Sequence, residues 1–401
     1  MLTRMELACQ RANLEGSLRL RMWEYWRLSL AVLCLAISLT AIVKAPNLPI
    51  WMLSLGATEF GHWFALVPLA LLCVGQSEPI SVVGSGVAAV SMALFLSTAF
   101  RAHAFGRSLP QQLGAAFGEV TITRSPLSVR TLFFGNGERA IRPETLIYSE
   151  GVGYSLRLNF FRSTRTDSPS PCVIVLHTGG WNSGTPDEFG TFSSHLAHRG
   201  YAVAALQYRL APDWSWPSPR EDVAAALAFL KERSAELGID PTRFGLLGRS
   251  AGGHIAEASA YSLNDPAIRG CIAFYAPADV HYAYQLGRDD DMLKSRQIVR
   301  SFMGGSPEER PEQYDSASAN LLVRADTPPT LLFHGPPDPL VWNRQSQRLA
   351  AGLRREGVPH LLIEFPWATH AFDFNPYGPG GQLSAYAVDF FLAARLPRAE
   401  S

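Results

Sequence analysis

The sequence predicts an α/β domain built on a mostly parallel, doubly wound sheet, preceded by about three transmembrane helices. Two observations carry this prediction. Long apolar stretches fill the first hundred residues, and short apolar runs alternate with helical periodicity through the rest of the 401-residue chain. Long apolar stretches are typical of membrane-spanning helices, and short apolar strands that alternate with helices are typical of parallel sheets covered on both faces.

The predicted membrane region consists of three apolar stretches, 28–43, 48–74 and 80–100, separated by the polar segments 44–47 and 75–79. Each stretch is long enough to cross a bilayer, or close to it. A cleaved secretory signal contains a single apolar segment, whereas this pattern occurs three times. We therefore predict three transmembrane helices. One true span with a pair of buried core helices is the alternative, because the first stretch is short and contains Ser and Thr.

Two ionisable residues lie near the middle of the second stretch. Glu59 and His62 are three residues apart, so on a continuous helix they share one face and can pair. Ionisable groups inside a bilayer are costly and often functional. In the alternative, the segment bends or re-enters near Gly56 and Gly61, which leaves both groups at an interface. The sequence favours neither interpretation.

The basic residues that flank the apolar stretches predict the orientation in the membrane. Residues 1–27 form a basic tail that is compatible with an amphipathic interfacial helix. Its arginines are Arg4, Arg11, Arg19, Arg21 and Arg27, and the basic residues on the opposite side are Lys44, Arg101 and Arg107. Because basic flanks stay in the cytoplasm, this excess predicts a cytoplasmic N-terminus. With an odd number of spans, the C-terminal domain is then extracytoplasmic or periplasmic.

Charge and cysteine usage narrow the choice of partners. The 35 Lys and Arg residues balance 35 Asp and Glu residues, so nothing favours a nucleic-acid partner. The five cysteines are far apart, with no CxxC pair and no neighbouring His at metal-ligand spacing. We expect neither a zinc site nor a disulfide framework, and the apolar runs around Cys172 and Cys271 indicate buried structural cysteines.

The remaining chain is predicted to consist of a linker, 101–117, and an α/β domain, 118–401. Three runs at the start of the domain are predicted as antiparallel strands: 119–123, 128–134 and 154–161. Six later apolar runs are predicted as buried strands: 172–176, 202–206, 244–247, 271–275, 330–333 and 361–365. Between them, 221–237 repeats apolar residues at helical spacing. Ligands bind at the carboxyl ends of parallel strands, so we expect the chemistry directly after these runs.

The run 244–247 leads into Gly248-Arg249-Ser250-Ala251-Gly252 and then into a helical segment. In a strand–turn–helix context, GxSxG is typical of a nucleophile, because the glycines permit a tight turn that exposes the serine at a helix N-terminus. We predict Ser250 to be a nucleophile. A purely structural glycine-rich turn is the alternative.

The run 172–176 is followed by His177-Thr178-Gly179-Gly180-Trp181. Acyl transfer develops negative charge on an oxygen, and backbone N–H groups held in place stabilise that charge. Glycines let the backbone approach the reacting atoms closely. We predict an oxyanion hole formed by the N–H groups of Gly179, Gly180 and Ala251, with a plain glycine turn as the alternative.

Two further strand ends supply an acid and a base. A hydroxyl nucleophile needs a base, and that base needs a carboxylate to hold its tautomer. The order Ser250, Asp338, His370 is the one typical of this arrangement, and each residue follows a predicted strand. His254 and His334 are rivals for the base. His254 lies inside the helix after the nucleophile, and His334 precedes the turn of the acid.

Together these motifs resemble the hormone-sensitive-lipase and feruloyl-esterase-like carboxylesterases of the α/β-hydrolase superfamily. The segments that carry the resemblance are HTGGW, 208–212, Asp222, GRSAGGH, 304–308, HGPPD and HAF, and they extend over about 118–397. The resemblance implies an α/β-hydrolase fold with a small cap, which we place at 281–303. It also implies hydrolysis of carboxylic esters through an acyl-enzyme, without a metal or organic cofactor. The roles it implies are catalytic for Ser250, Asp338 and His370, and oxyanion-binding for Gly179, Gly180 and Ala251.

The sequence departs from the family pattern at three places. Thr178 stands where the relatives have the first glycine of HGGG, and Arg249 replaces an acidic residue before the nucleophile. The segment 314–318 replaces a serine–proline pair. None of these changes touches the predicted triad, so they bear on substrate class rather than on activity.

Aromatic and charged residues near the motifs complete the predicted site. Trp181, Trp214 and Trp216 are predicted to line or abut the entrance of an apolar acyl pocket. Arg209 is expected to pair with a nearby carboxylate as part of the scaffold.

The leading hypothesis is a membrane-anchored serine carboxylesterase, or lipase-like hydrolase, that acts on small or lipidic esters. Amidase, formamidase or prenylcysteine methylesterase activity would use the same apparatus, and the fold does not separate them. From a different class, the chain could be an inactive membrane scaffold or binding protein. The intact set of motifs argues against that alternative.

Overall fold

In the computed structural model, which describes residues 2–74, 79–165 and 167–398, the chain divides into two units, Met1–Arg101 and Ala102–Ser401. The first unit is helical, with α1 (Leu2–Leu39), α2 (Leu48–Glu59), α3 (Gly61–Phe64), α4 (Leu66–Cys73) and the beginning of α5 (Pro79–Phe117). Among the described residues, two helical segments are long and apolar enough to cross a membrane: Met22–Leu39 and Ser81–Phe117. The polar break predicted at 75–79 falls mostly on 75–78, outside the described residues.

The second apolar stretch is not one straight helix but a bent pair of helices, either one broken span or a re-entrant loop. Its two helical parts, Leu48–Glu59 and Gly61–Cys73, meet at an angle of 80°. A β-carbon on Gly61 would lie 2.4 Å from the carbonyl oxygen of Phe95, so the glycine permits close packing against α5 at the bend. Glu59 ends α2 and His62 lies just beyond the bend, and both are buried within the first unit. This matches the alternative in which the segment bends near Gly61.

The predicted tail and the first stretch form a single helix, and the candidate span within it, Met22–Leu39, begins and ends earlier than 28–43. Arg27 is buried in this unit and not part of a free basic tail. Its guanidinium donates to the carbonyl oxygen of Leu71 at 3.0 and 2.8 Å, and to the hydroxyls of Ser81 at 2.8 Å and Ser85 at 2.6 Å. The last carbonyls of a helix lack partners within the helix, so Arg27 supplies one near the end of α4.

The second unit contains a mixed sheet, which confirms the predicted α/β class. Within the described residues the strand order is β1-β2-β4-β3-β5-β6-β7-β8. Strands β1 and β2 run antiparallel to their neighbours, and β3 to β8 are parallel. The strands are β1 (Glu144–Gly151), β2 (Tyr154–Phe161), β3 (Ser170–Leu176), β4 (Ala202–Leu206), β5 (Ile239–Arg249), β6 (Ile268–Phe274), β7 (Thr330–His334) and β8 (His360–Glu364).

Helices cover both faces of this sheet and form two buried apolar clusters with it. They are α6 (Val129–Phe134), α7 (Gly190–His198), α8 (Ser218–Glu232), α9 (Ser234–Leu237), α10 (Ala251–Ser262), α11 (Val280–Leu286), α12 (Ser295–Met303), α13 (Pro311–Ala317), α14 (Ala319–Leu322), α15 (Arg344–Arg355) and α16 (Pro379–Arg395). The helices α11 and α12 occupy the segment predicted as a cap.

Two of the predicted antiparallel strands are wrong. Residues 119–123 have no regular structure, and 128–134 contains the helix α6 instead of a strand. The side chain of Ser128 caps this helix by accepting from the amide of Thr131 at 3.3 Å, and the helix ends at Gly135, where φ is +69°.

The predicted linker 101–117 is also helical. It forms the end of α5, where Phe117 packs edge-on against Phe391 of α16 with ring centroids 4.9 Å apart.

A buried charge cluster ties α7 to α16. His195 lies between two carboxylates, with Nδ1 at 2.9 Å from Glu138 and Nε2 at 3.1 Å from Asp389. Arg124 donates to Asp389 at 2.8 Å. Burial by itself would lower the pKa of His195, but the charges and hydrogen bonds of Asp389 and Glu138 outweigh it and raise the pKa to about 9.

We expect His195→Asn to destabilise the protein in a pH-dependent way. A histidine whose pKa rises from 6.5 to about 9 on folding contributes stability that is fully present below pH 6.5 and is lost as the pH rises through about 9. The variant should lose about 3 kcal/mol of unfolding free energy at pH 6, and much less at pH 10. Unfolding of the full chain at both values measures this, with His360→Asn as the control. An equal loss at both pH values would contradict the assignment.

Candidate active site

The carboxyl ends of four neighbouring strands deliver the residues of the site. Ser250 follows β5, Tyr275 follows β6, Asp338 follows β7 and His370 follows β8. The strands lie in the order β5, β6, β7, β8, so their carboxyl ends share one edge of the sheet. This is the edge at which open parallel sheets bind their ligands.

Ser250 occupies a tight turn that requires glycine two residues before it and two residues after it. Its backbone has φ +52° and ψ −119°, a region that a residue with a side chain rarely adopts. A β-carbon on Gly248 would lie 2.0 Å from the carbonyl oxygen of Gly252, and one on Gly252 would lie 2.3 Å from that of His177. The amide of Ser250 donates to the carbonyl of Phe274 at 2.9 Å, which fixes the turn to β6. The serine is thus held directly before the first turn of α10.

The three side chains predicted as a triad form one hydrogen-bonded chain. Ser250 Oγ donates to His370 Nε2 at 3.1 Å, and His370 Nδ1 donates to Asp338 Oδ2 at 2.7 Å. The other carboxylate oxygen, Asp338 Oδ1, accepts from the amides of Leu340 at 2.8 Å and Val341 at 2.9 Å. The histidine is therefore oriented from one side by a fixed carboxylate and points at the serine from the other.

The ionisation of Asp338 suits this arrangement. Burial by itself would raise its pKa, but the charge on His370, together with hydrogen bonds from His334 and His370, outweighs burial and holds the pKa below its usual value. Asp338 therefore stays anionic wherever His370 acts as a base.

In the described part of the chain, neither rival histidine is hydrogen-bonded to Ser250, although His334 Nε2 lies 3.3 Å from Asp338 Oδ2. His334 Nδ1 lies 2.7 Å from the hydroxyl of Ser346, and its Nε2 donates to the carbonyl of Val341 at 3.0 Å. His254 donates from Nε2 to the carbonyl of Ala317 at 2.8 Å. Burial lowers the pKa of His254 to about 4, although that hydrogen bond acts in the opposite direction. His254 is thus a neutral core residue at ordinary pH.

The loop after β3 presents backbone amides beside the serine turn. Gly179 and Gly180 have φ values of +111° and +58°. A β-carbon on Gly179 would lie 2.1 Å from the carbonyl of Ser183, so no larger residue fits. Among the described residues, the N–H groups of Gly179 and Gly180 donate no hydrogen bond. The N–H of Ala251, at the first position of α10, has no partner within its helix.

Thr178 and Tyr208 brace this loop. Thr178 donates to Glu188 Oε2 from its amide at 3.2 Å and from its hydroxyl at 2.9 Å. The hydroxyl of Tyr208 donates to the carbonyl of His177 at 3.0 Å, and the two rings stack with centroids 4.1 Å apart. Thr178 thus adds an anchor to the loop.

The tryptophans have structural contacts. Trp181 stacks on Phe302 of α12 at 4.6 Å and donates to His254 Nδ1 at 3.1 Å. Trp216 is buried and donates to the hydroxyl of Ser316 at 3.0 Å. Trp214 packs edge-on against Tyr154 of β2, with centroids 5.5 Å apart.

The predicted partner of Arg209 is present. Arg209 Nε donates to Asp222 Oδ1 at 2.7 Å, and the arginine amide donates to Oδ2 of the same carboxylate at 2.7 Å. Asp222 is buried in α8, so this pair belongs to the scaffold.

Two residues close to the catalytic candidates escaped the sequence analysis. The ring of Tyr275 packs against His370 at 4.4 Å, and Asp373, three residues after His370, accepts from the hydroxyl of Tyr275 at 2.6 Å. Tyr275 directly follows β6, which is the position that signals a site residue in such a sheet. Within the described parts of the chain, no three His, Cys, Asp or Glu side chains are grouped to hold a metal ion.

Comparison with known proteins agrees with this architecture. The acetyl ester-xyloside bifunctional hydrolase of Caldicellulosiruptor lactoaceticus superposes with a TM-score of 0.55, at 22% identity, over 64% of this chain and 98% of that one. The chain has the α/β-hydrolase fold. Residues 158–353 match the family model BD-FAE.

Two curated proteins of Mycobacterium tuberculosis are similar in sequence. Esterase LipQ is 30% identical over 213 residues, 51% of this chain and 51% of LipQ. The probable carboxylic ester hydrolase LipM is 29% identical over 244 residues, 56% of this chain and 54% of LipM. The chain thus spans about half the length of these curated relatives.

Proposed function

We propose that this protein is a serine carboxylesterase that cleaves carboxylic esters through an acyl-enzyme. The observation that carries the proposal is the hydrogen-bonded chain from Ser250 through His370 to Asp338, at a turn whose backbone permits no side chain at Gly248 or Gly252. The esterase names of LipQ and LipM support the same reaction class.

The proposed reaction has two halves. Ser250 Oγ attacks the ester carbonyl carbon while His370 Nε2 takes its proton, and the imidazolium is stabilised by Asp338. The resulting oxyanion accepts from backbone N–H groups of the oxyanion loop and of α10. The alcohol leaves with the proton from His370. Water then attacks the acyl-enzyme with the same assistance and releases the acid and free Ser250.

Ile298 of the cap helix α12 is the proposed contact for the acyl group. A β-carbon built on Gly180 would lie 3.8 Å from Ile298 Cγ2, so this side chain borders the space beside the proposed oxyanion donors. An apolar wall at that place suits an acyl chain better than a charged group. Small or lipidic esters are therefore the proposed substrates.

We expect Ser250→Ala to reduce ester hydrolysis by about 10⁴-fold or more, because the nucleophile is lost. The measurement is hydrolysis of p-nitrophenyl esters from acetate to palmitate by the full chain in detergent, beside the matching anilides. The control is Ser155→Ala, an exposed serine of β2. Full activity in Ser250→Ala, or an inactive wild type, contradicts the proposal and favours a scaffold or binding role. Cleavage of anilides but not esters would instead indicate an amidase.

We further propose that the first unit anchors the enzyme in a membrane. Support comes from the helix Met22–Leu39, from the part of Ser81–Phe117 that precedes Ala102, and from the bent pair Leu48–Glu59 and Gly61–Cys73, which together give up to three crossings. The basic residues of the N-terminal tail favour the cytoplasm, and three crossings then place the catalytic domain outside it. Membrane lipids are accordingly proposed partners.

The orientation has a direct test in bacterial cells. We expect alkaline phosphatase fused after Ser401 to be active, because that enzyme requires export, and a green fluorescent protein at the same place to be dark. The reverse pattern would show a cytoplasmic catalytic domain.

A further inference from the structure

A buried arginine lies directly beside the proposed nucleophile. Arg249, the last residue of β5, has no exposed surface. Its guanidinium carbon lies 4.0 Å from the ring centroid of Phe189, 4.6 Å from that of Phe192 and 4.7 Å from that of Phe274. A cation in such an apolar pocket is costly unless a partner compensates its charge.

That partner comes from the loop of the proposed base. Arg249 Nε donates to Asp373 Oδ2 at 2.5 Å, and Asp373 is itself buried. The other oxygen of Asp373 accepts from the hydroxyl of Tyr275 at 2.6 Å. Asp373 is three residues from His370, and the ring of Tyr275 packs on His370 at 4.4 Å. The three side chains thus connect the ends of β5 and β6 to the loop after β8.

We propose that Arg249, Asp373 and Tyr275 are positioning residues that set the orientation of His370 toward Ser250 and keep the charge behind His370 balanced. The proposal rests on the proposed function, since it concerns the same serine and histidine. Neither Arg249 nor Asp373 contacts Ser250 Oγ through a hydrogen bond, so their effect is exerted through His370 and the serine turn.

The charges around His370 determine the direction in which the pH profile should move. His370 faces Ser250 at Nε2, Asp338 at Nδ1 and the ring of Tyr275, and the Arg249–Asp373 pair lies behind that ring. His334 lies on the far side of Asp338, with Nε2 3.3 Å from its carboxylate. The pair is neutral as a whole. When Asp373 loses its charge, Arg249 stays protonated and becomes an uncompensated buried cation. That cation disfavours a proton on His370.

We therefore expect Asp373→Asn to change both rate and pH profile. His370 must be neutral to act as base, so the acidic limb of kcat/KM reports its protonation. The limb should move to lower pH, on the order of one pH unit. The variant also loses the ion pair that holds the loop after β8, which carries His370. We therefore expect kcat to fall by about tenfold to a hundredfold while KM stays within about threefold.

Tyr275→Phe separates orientation from charge. This variant keeps the ring on His370 and leaves both charges of the pair in place, so the acidic limb should stay where it is in the wild type. Only the hydrogen bond to Asp373 is lost, and kcat should fall by about threefold to tenfold. The variant also keeps the proposal testable if Asp373→Asn does not fold.

Asp222→Asn is the matched control for the loss of a buried ion pair. Asp222 pairs with Arg209 at 2.7 Å and has no hydrogen bond to the serine, the acid or the base of the site. This control should lower the unfolding temperature without moving the acidic limb.

The experiment compares pH profiles of ester hydrolysis and unfolding temperatures for the full-length wild type and the three variants. A shift to lower pH in Asp373→Asn alone, with the reduced kcat in Tyr275→Phe, supports the proposal. An unmoved limb in folded Asp373→Asn, a limb shift shared with Asp222→Asn, or a wild-type kcat in Tyr275→Phe overturns it. Failure of the esterase proposal itself is distinct, since the wild type would then have no Ser250-dependent hydrolysis.

Discussion

The close approach of backbone at the serine turn is the constraint on which the rest of the site depends. With any side chain at Gly248 or Gly252, the turn would collide with its own carbonyls or with that of His177. The turn holds Ser250 at φ +52°, a strained conformation that persists only because the surroundings over-determine it. Two hydrogen bonds contribute to this: the amide of Ser250 donates to β6, and its hydroxyl donates to His370.

Buried charged residues hold the loops after β7 and β8, which the hydrogen bonds of the sheet do not position. Asp338 is held by two backbone amides and in turn orients His370. Behind these residues, the pair Arg249–Asp373 joins the serine turn to the histidine loop. Asp338 is stabilised by hydrogen bonds, and Arg249 and Asp373 by their ion pair, as a low-dielectric interior requires. Arg249, the residue before Ser250, is therefore held in an ion pair with Asp373 and is not an isolated cation.

The sequence predicted correctly those elements whose structure depends on residues close together in the chain. Short apolar runs predicted the parallel strands, because strands buried on both faces need apolar side chains at every position. The three triad candidates were predicted because each lies within five residues of the end of such a run. The same reasoning failed at 128–134, where an apolar and polar mixture was interpreted as a strand although Ser128 supplies a helix cap.

Other features have no local signal. The ion pair Arg249–Asp373 joins residues 124 positions apart, so the sequence around either residue contains no motif that predicts it. The 80° bend at Gly61 lies in an almost uniformly apolar stretch, and it depends on the approach of Phe95 from another helix. Strand β1 was missed because it lies at the edge of the sheet, where one face and one edge are less buried and the apolar run is short.

The central claim is that Ser250 is a nucleophile activated by His370. The most direct measurement treats the full chain with a fluorophosphonate, digests it and locates the adduct by mass spectrometry. An activated serine attacks the phosphorus and retains the adduct, whereas an ordinary serine does not react. The account predicts one adduct, on the peptide that contains Ser250, and its loss when His370 is replaced by alanine. No adduct on the wild type, or an adduct on a different serine, would contradict it.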